Sequence, residues 1–278
     1  ALSQQISRLE GELSTRLLQR SASGVVPTDA GLAFFRQAQL ALRHADDAVT
    51  AAQQARLAGH VSVGLPSTTA AILGAPFLQA MNERYPDIRL HLVEALSGHL
   101  ADMLNGRLLD LAIVFHAESA RRWSIMPLLD EPLYLCARRD MPGVPDGDTT
   151  RLDAIAHLPL VLPSGRHGLR ALVNNAFQQM GQTPRVVAEV DGLSLLMDVV
   201  QLGNAATIQP SSATARIAPG QLHMARIDDA HLFRPNLLAS LSDDELSPAG
   251  LAARLVLADV SRTLARDGKW AVVALHES

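Results

Sequence analysis

Between Asp29 and Ala58 the chain runs for about thirty residues with no proline and with Gly31 as its one glycine. Along that stretch Phe35, Ala38, Leu42, Ala45, Val49 and Ala52 recur at alternating steps of three and four, the a and d positions of a heptad seam. A helix of that length spans about 45 Å, and a change of period at Gly59 starts a new domain after it. The chain is therefore divided into a short N-terminal unit, a linker helix and a larger C-terminal body. Arg36, Arg43, Asp46, Asp47 and Arg56 flank the seam, so the helix can pair with a second copy and stay hydrated elsewhere. Packing on its own domain is the alternative.

Ahead of this helix, Leu2, Ile6, Leu9 and Leu13 form one apolar stripe at helical spacing. The rest of that helix carries Ser3, Gln4, Gln5, Ser7 and Arg8. Glutamine suits adenine edges, and arginine suits guanine or phosphate, so this face can read DNA; an ordinary solvated helix face is the alternative. Arg20 to Val26 is short, rich in small residues and able to form a hairpin wing, with Arg20 positioned for a backbone phosphate. Thr28 then stands where a helix N-cap belongs, and Asp29 favours the positive end of the helix dipole. Residues 1–58 carry six arginines against five acids, and the chain has a net charge of −4, so non-specific phosphate attraction is weak.

At Gly59, expected to cap the linker helix, the period switches to the alternation His60-Val61-Ser62-Val63-Gly64-Leu65. Apolar strands then alternate with helices. Strands are expected at Val61–Leu65, Ile88–Val93 and Leu109–Phe115, with helices near Thr69–Arg84 and Gly98–Asn105. After Pro132 a second set follows: strands at Leu133–Ala137, Leu158–Leu162, Val186–Val190 and Ala205–Ile208, with helices near Gly168–Met180 and Leu193–Leu202. A strand at Asn236–Ser242 and a helix near Pro248–Leu264 follow. This is the pattern of mostly parallel, doubly wound sheets in two similar lobes.

The run Ser3-Gln4-Gln5-Ile6 through Leu9-Glu10, Leu17 to Arg20, Pro27-Thr28-x-Ala30-Gly31, Gly59-x-Val61-x-Val63-Gly64 and Gly106-x-x-Leu109-Asp110-Leu111-Ala112-Ile113 occur in one order across the whole chain. Together they resemble the LysR-type transcriptional regulators, and within them the nitrogen-assimilation-control branch. The resemblance implies an α/β chain: an N-terminal partial winged helix-turn-helix (1–27), a linker and dimerisation helix (28–58), and a two-lobed effector-binding domain of the periplasmic-binding-protein-like type 2 fold (59–278). Lobe I would comprise 59–131 and 235–278, and lobe II 132–234. Family members begin with two further helices, about thirty residues, so the chain is expected to start inside its helix-turn-helix. Ser14 stands where the family usually has glycine. The partners implied are promoter DNA, a second copy in a homodimer or homotetramer, a small anionic effector and RNA polymerase. The expected setting is cytoplasmic, with no membrane.

Small ligands in such sheets bind at strand carboxyl ends, where helix N-termini offer free N–H groups. Pro66-Ser67-Thr68-Thr69, Ser97-Gly98 and Pro163-Ser164-Gly165-Arg166-His167 are turns of this kind. By position, the resemblance implicates Ser67, Thr68 and Ser164, and Ser97 and Gln209 are placed at the same cleft. For Ser67, Thr68 and Ser97 plain helix capping is an equal reading. Arg166 and Arg170 could neutralise an anion, with His167 tuning the response near neutral pH, or they form a solvated basic helix end. His116 ends a strand, where it could edge the cleft or be structural, the commoner role of a lone histidine. Asp191-Gly192-Leu193-Ser194 opens a helix opposite.

Cys136, the single cysteine, lies in the apolar run Leu133-Tyr134-Leu135-Cys136-Ala137 and reads as a buried strand residue, with no disulfide. The sequence has no nucleophile elbow, metal-ligand cluster, glycine-rich phosphate loop or close acid pair, and His276-Glu277 is read as a loose tail; an enzyme is not expected, and no cofactor. A transporter's solute-binding protein would share the two-lobed clamp, and the linker helix and wing argue against it.

Overall fold

The computed structural model describes residues 2–21, 24–53, 57–116, 123–165, 167–218, 220–229, 232–242 and 246–276; the side chains of Arg20, Ser21, Leu40, Arg43, His44 and residues 46–53 lie outside that description. Helix α1 (Leu2–Glu12) leads into an antiparallel hairpin of β1 (Leu18–Ser21) and β2 (Gly24–Pro27), which pairs Gln19 with Val26 and Arg20 with Val25. The wing is thus present, and α2 (Asp29–Gln53) follows it directly.

A small knot of polar groups fixes these pieces. The Glu10 carboxylate on α1 accepts the backbone N–H groups of Leu17 (2.7 Å) and Leu18 (2.9 Å). Those bonds, with the Leu18 amide contributing most, hold its pKa below the usual carboxylate range. The Thr28 hydroxyl donates to the Arg16 carbonyl (2.7 Å) and accepts the Gly31 N–H (3.0 Å), so it caps α2 and ties it to the wing. Gly31 is required by contact, because a Cβ there would stand 1.9 Å from the Leu17 carbonyl oxygen. Ser14 sits at φ +51°, a left-handed position that glycine occupies without cost.

The body begins at β3 (Gly59–Leu65), and Gly59, at φ +139°, is its first residue. The expected helix cap is therefore corrected: the described helix ends at Gln53, and the positive φ serves the entry to the strand. Next come α3 (Ser67–Arg84), β4 (Ile88–Glu94), α4 (Ser97–Asn105) and β5 (Leu111–Val114). β3 lies between β4 and β5, parallel to both. Asp110, in the Leu109-Asp110-Leu111 motif, accepts the Ser62 N–H at 2.7 Å and so aligns β5 on β3.

Strand β6 (Ser124–Ala137) corrects the expectation of a strand starting only after Pro132: it runs unbroken through both lobes. Its earlier proline, Pro127, falls at a register shift against β12 (Phe233–Ser240), where a missing N–H is tolerated. The first part of β6 pairs with β12 and with β13 (Ala274–Leu275), and its last residues pair with β10 (Thr207–Pro210) and β11 (His223–Ile227). These pairings are all antiparallel, so the sheets are mixed rather than mostly parallel. Lobe II adds β7 (Thr149–Thr150), β8 (Leu160–Leu162) and β9 (Val186–Glu189), with β8 parallel to β9. Of these, β7, β11 and β13 had no counterpart in the sequence reading. β13 also corrects the loose tail: Ala274 and Leu275 pair with β6, and His276 donates its N–H to the Leu128 carbonyl. Glu277 lies outside the described residues.

Helices cover both faces of each sheet. α3 and α7 (Pro248–Arg266) bury Leu73, Phe77, Met81, Val256 and Leu257 against β3, β5 and β12, and α4 covers the opposite face with Leu100 and Leu104. In lobe II, α5 (Gly168–Gln179) packs Leu169, Val173 and Phe177 on one face, and α6 (Leu193–Gln201) packs Leu196, Met197 and Val200 on the other.

The N-terminal knot makes a direct prediction. Gly31→Ala must displace the Leu17 carbonyl, a strain of roughly 1–3 kcal/mol, and is expected to speed tryptic cleavage at Arg16 about tenfold. Ser14→Gly relieves the left-handed strain and is expected to slow it. Equal cleavage of the two variants and the parent would remove the knot from the account.

Candidate functional site

Two regions carry the residues singled out by sequence. In the first, Ser3, Gln4, Gln5, Ser7 and Arg8 are all exposed on α1. They divide between two sides. Ser3 and Ser7 join Leu2, Ile6 and Glu10 in lining an open groove of about 1160 Å³ between α1 and the wing, whereas Gln4, Gln5 and Arg8 lie outside it. Arg8 pairs with Glu12 at 3.0 Å, with both side chains well exposed; such a pair is weak and readily exchanged for a phosphate or base. Arg20 stands on β1, and its side chain lies outside the described residues. The apolar stripe has no buried member: Leu2 is 74% exposed and Leu13 42%.

On α2 the large seam residues among the described side chains are exposed in the single chain. Phe35 is 58% exposed and Leu42 68%, Ala45 is exposed, and Ala38 is partly covered. The side chains of Val49 and Ala52 lie outside the described residues.

The second region is the boundary between the lobes. α3 starts after Pro66 with no side-chain cap, so its first N–H groups are open. Ser67 is half-buried there. The buried Thr68 hydroxyl has no hydrogen-bond partner among the described residues, and the Thr69 hydroxyl donates to Asn236 Oδ1 at 3.1 Å. Ser97, at the start of α4 in lobe I, accepts the N–H of Gly168, the first residue of α5 in lobe II, at 3.2 Å. His116 packs so closely on Gly168 that a Cβ there would fall 2.3 Å from its ring. His167 caps α5 by accepting the Leu169 N–H at 3.1 Å, and its ring lies 5.5 Å from that of Phe115. Ser97, His116 and His167 thus meet where the lobes touch.

The other expected residues are engaged elsewhere. Asp191 accepts both the N–H and the hydroxyl of Ser164, at 2.8 and 3.1 Å, and the Ser164 amide is the main cause of its lowered pKa. Arg170 spends its guanidinium on Glu189 (2.7 Å) and the Pro163 carbonyl (3.0 Å), which corrects its assignment to an anion. Gln209 is buried on β10, and Arg166 lies outside the described residues. His167 is also corrected as a sensor near neutral pH: burial, with the nearby Arg234 charge, pushes its pKa down to about 3. Burial likewise pushes the Cys136 thiol up to about 12, so it is inert. Among the described residues no group of three or more His, Cys, Asp and Glu is placed to hold a metal.

The sequence reading missed a fully buried polar cluster where β6 and β12 cross between the lobes. Glu131 Oε1 accepts from Ser212 Oγ and from Trp270 Nε1, each at 2.7 Å. Its Oε2 accepts from Asn236 Nδ2 (2.9 Å) and from Arg234 through Nε (3.1 Å) and Nη2. The Arg234 guanidinium also lies over the Phe115 ring, 4.1 Å from its centroid. Burial lowers the Arg234 pKa, and Glu131 opposes that shift. One signal was available: Arg234 is the one charge of its apolar strand and Glu131 is one of two adjacent acids in its own, each beside a proline.

Residues 54–262 match the LysR substrate binding domain family, and residues 1–32 match the bacterial regulatory helix-turn-helix protein family, lysR type. The chain belongs to the LysR family of transcriptional regulators. It is similar to the nitrogen assimilation regulatory protein nac of Klebsiella aerogenes, 34% identical over 92% of this chain and 84% of that protein. Its likeness to the nac protein of Escherichia coli K12 is 32% over 99% of this chain and 90% of that one. Among solved structures, a full-length OxyR from Pseudomonas aeruginosa superposes with a TM-score of 0.72 at 25% identity, covering 94% of this chain and 87% of that chain. The LysR assignment sets aside the solute-binding alternative and the enzymes, because the family consists of transcriptional regulators.

The depressed His167 pKa has a testable consequence. In the unfolded chain the group takes up a proton near 6.5, and in the folded chain only near 3. Its contribution is complete above pH 6.5 and is lost as pH falls through that window. His167→Asn offers a side-chain oxygen in place of the capping Nδ1 and removes the titration. It is expected to flatten the acid slope of stability by roughly 1.4 kcal/mol per pH unit, read from urea midpoints between pH 7 and pH 4. A slope identical to the parent's would contradict the assignment.

Proposed function

We propose that this LysR regulator binds promoter DNA in the cytoplasm as a homodimer or homotetramer, and that its two-lobed domain responds to a small anionic effector. Residues 1–27 supply the reading unit, 28–58 the dimerising linker and 59–278 the effector domain. Gln4, Gln5 and Arg8 read base edges, and Ser3, Ser7 and Arg20 contact the backbone. The seam of Phe35, Ala38, Leu42, Ala45, Val49 and Ala52 pairs with the same seam of a second copy. The observation that carries this is the bare seam on α2, in a helix whose first turn is locked to the recognition helix through Thr28 and Glu10. Each large side chain covered by a partner contributes on the order of 1.5–3 kcal/mol, and pairing the seams sets the distance between two reading heads.

The effector cleft is assigned to the N-terminus of α3 with Ser67 and Thr68, to Ser97 and His167 at the lobe boundary, and, from the sequence alone, to Ser164, Arg166 and Gln209. The unpartnered Thr68 hydroxyl supports this placement, since a buried donor without a partner is costly unless a ligand satisfies it. An effector shifts the lobes only as far as its affinities for the two arrangements differ.

The test joins both claims. Leu42→Glu is expected to yield monomers by light scattering and to weaken binding to the regulator's own upstream DNA at least a hundredfold, at a stated salt concentration. Gln5→Ala is expected to leave the dimer intact and to relax sequence preference by about 1–3 kcal/mol at one base position. A dimeric Leu42→Glu variant sinks the seam, and unchanged preference in Gln5→Ala sinks the reading face.

A further inference from the structure

Glu131 is gripped as a bound carboxylate ligand is gripped. Its two oxygens accept five hydrogen bonds, from Ser212, Trp270, Asn236 and two nitrogens of Arg234. An ionised carboxylate offers about four lone-pair sites, so its accepting capacity is filled. The donors come from both lobes. Trp270 belongs to the lobe I core behind α7, and Ser212 lies in the short 3-10 turn Ser211–Thr214, whose Ala213 packs with α6 in lobe II. Thr69, at the start of α3, joins through Asn236. The side chains of Glu131, Arg234 and Asn236 have no solvent exposure.

A structural ion pair needs one partner, whereas this arrangement converges four side chains from three parts of the chain on one carboxylate, at the strands on which the lobes would turn. Arg234 Nη1 is also buried without a partner, so the guanidinium keeps a donor in reserve beside that carboxylate. We infer that Glu131 is an internal carboxylate ligand that latches the two lobes in the arrangement in which Ser97 meets Gly168, and that its donors form a binding site for a short monocarboxylate when the side chain is removed. The inference rests on the reading of residues 59–278 as a two-lobed effector unit and is independent of DNA binding.

The site is tested in the full chain with Glu131→Ala, which deletes the atoms that an acetate ion supplies. Thermal unfolding is followed in sodium acetate and in sodium chloride at equal ionic strength. The variant is expected to melt below the parent and to gain a saturable increment of roughly 4 °C or more in acetate, while the parent melts alike in both salts. A variant indifferent to acetate overturns the site.

Glu131→Gln keeps the volume and one accepting oxygen, and covers the case in which the alanine variant does not fold. Hydrogen exchange at the Gly168 amide is expected to quicken at least tenfold in it, while core amides of β3 and α7 keep parental rates. Parental exchange at Gly168, or equal acceleration everywhere, overturns the latch. Failure of the parent to bind DNA would overturn the regulator reading and leave these outcomes untouched.

Discussion

A charge with no access to water sits where two strands pass between the lobes, and the architecture around it is arranged to keep that charge satisfied. Isolated, a buried carboxylate costs several kcal/mol, and removing one partner from a buried pair costs on the order of 3–5 kcal/mol. Glu131 and Arg234 face each other across β6 and β12 in antiparallel register, so the backbone pairing itself delivers the counter-charge. Asn236, two residues along β12 from Arg234, adds an amide on the same face. Neither lobe can shift along these strands without stranding a charge, so the crossovers are held in register by electrostatics as well as by ladder hydrogen bonds.

The N-terminal region solves a different problem. It has little core to offer: Leu17 is buried there, while α1 buries no side chain in the single chain. Orientation is held by polar bonds to the backbone, with Glu10 on the amides of Leu17 and Leu18 and Thr28 on Arg16 and Gly31. Such bonds fix direction within narrow limits, and a reading head needs direction more than it needs stability. The close approach of Gly31 to Leu17 explains why that glycine stands one turn into an otherwise glycine-free helix.

Much of the fold was legible because period is a local property. The seam on α2, the wing, the alternation that opens β3 and the helices of both lobes all follow from spacing within a dozen residues. What failed was not local. β6 was read as starting after Pro132, and only its pairing with β12, at a register shift beside Pro127, shows that the strand runs through its prolines. Short edge strands such as Thr149–Thr150 and Ala274–Leu275 carry too few residues for a period. The site divided in the same way. Exposed residues on α1 were found, since a polar face opposite an apolar stripe is visible in one helix. The Glu131 cluster was not, since its members come from six stretches of chain that only the folded topology joins. His167 was recognised as a helix-start residue, yet its burial, which fixes its protonation, is a tertiary fact.

The two halves constrain how a signal can pass between them. β3 follows the linker helix in the chain, and its apolar residues Val61, Val63 and Leu65 are buried in the lobe I core, so lobe I is the part of the body next to the linker. Lobe II joins lobe I through β6 and β12, which are latched at Glu131, and touches it again where Ser97 meets Gly168. On the proposed function, a ligand that turned lobe II would therefore reach the linker of its own copy only through lobe I.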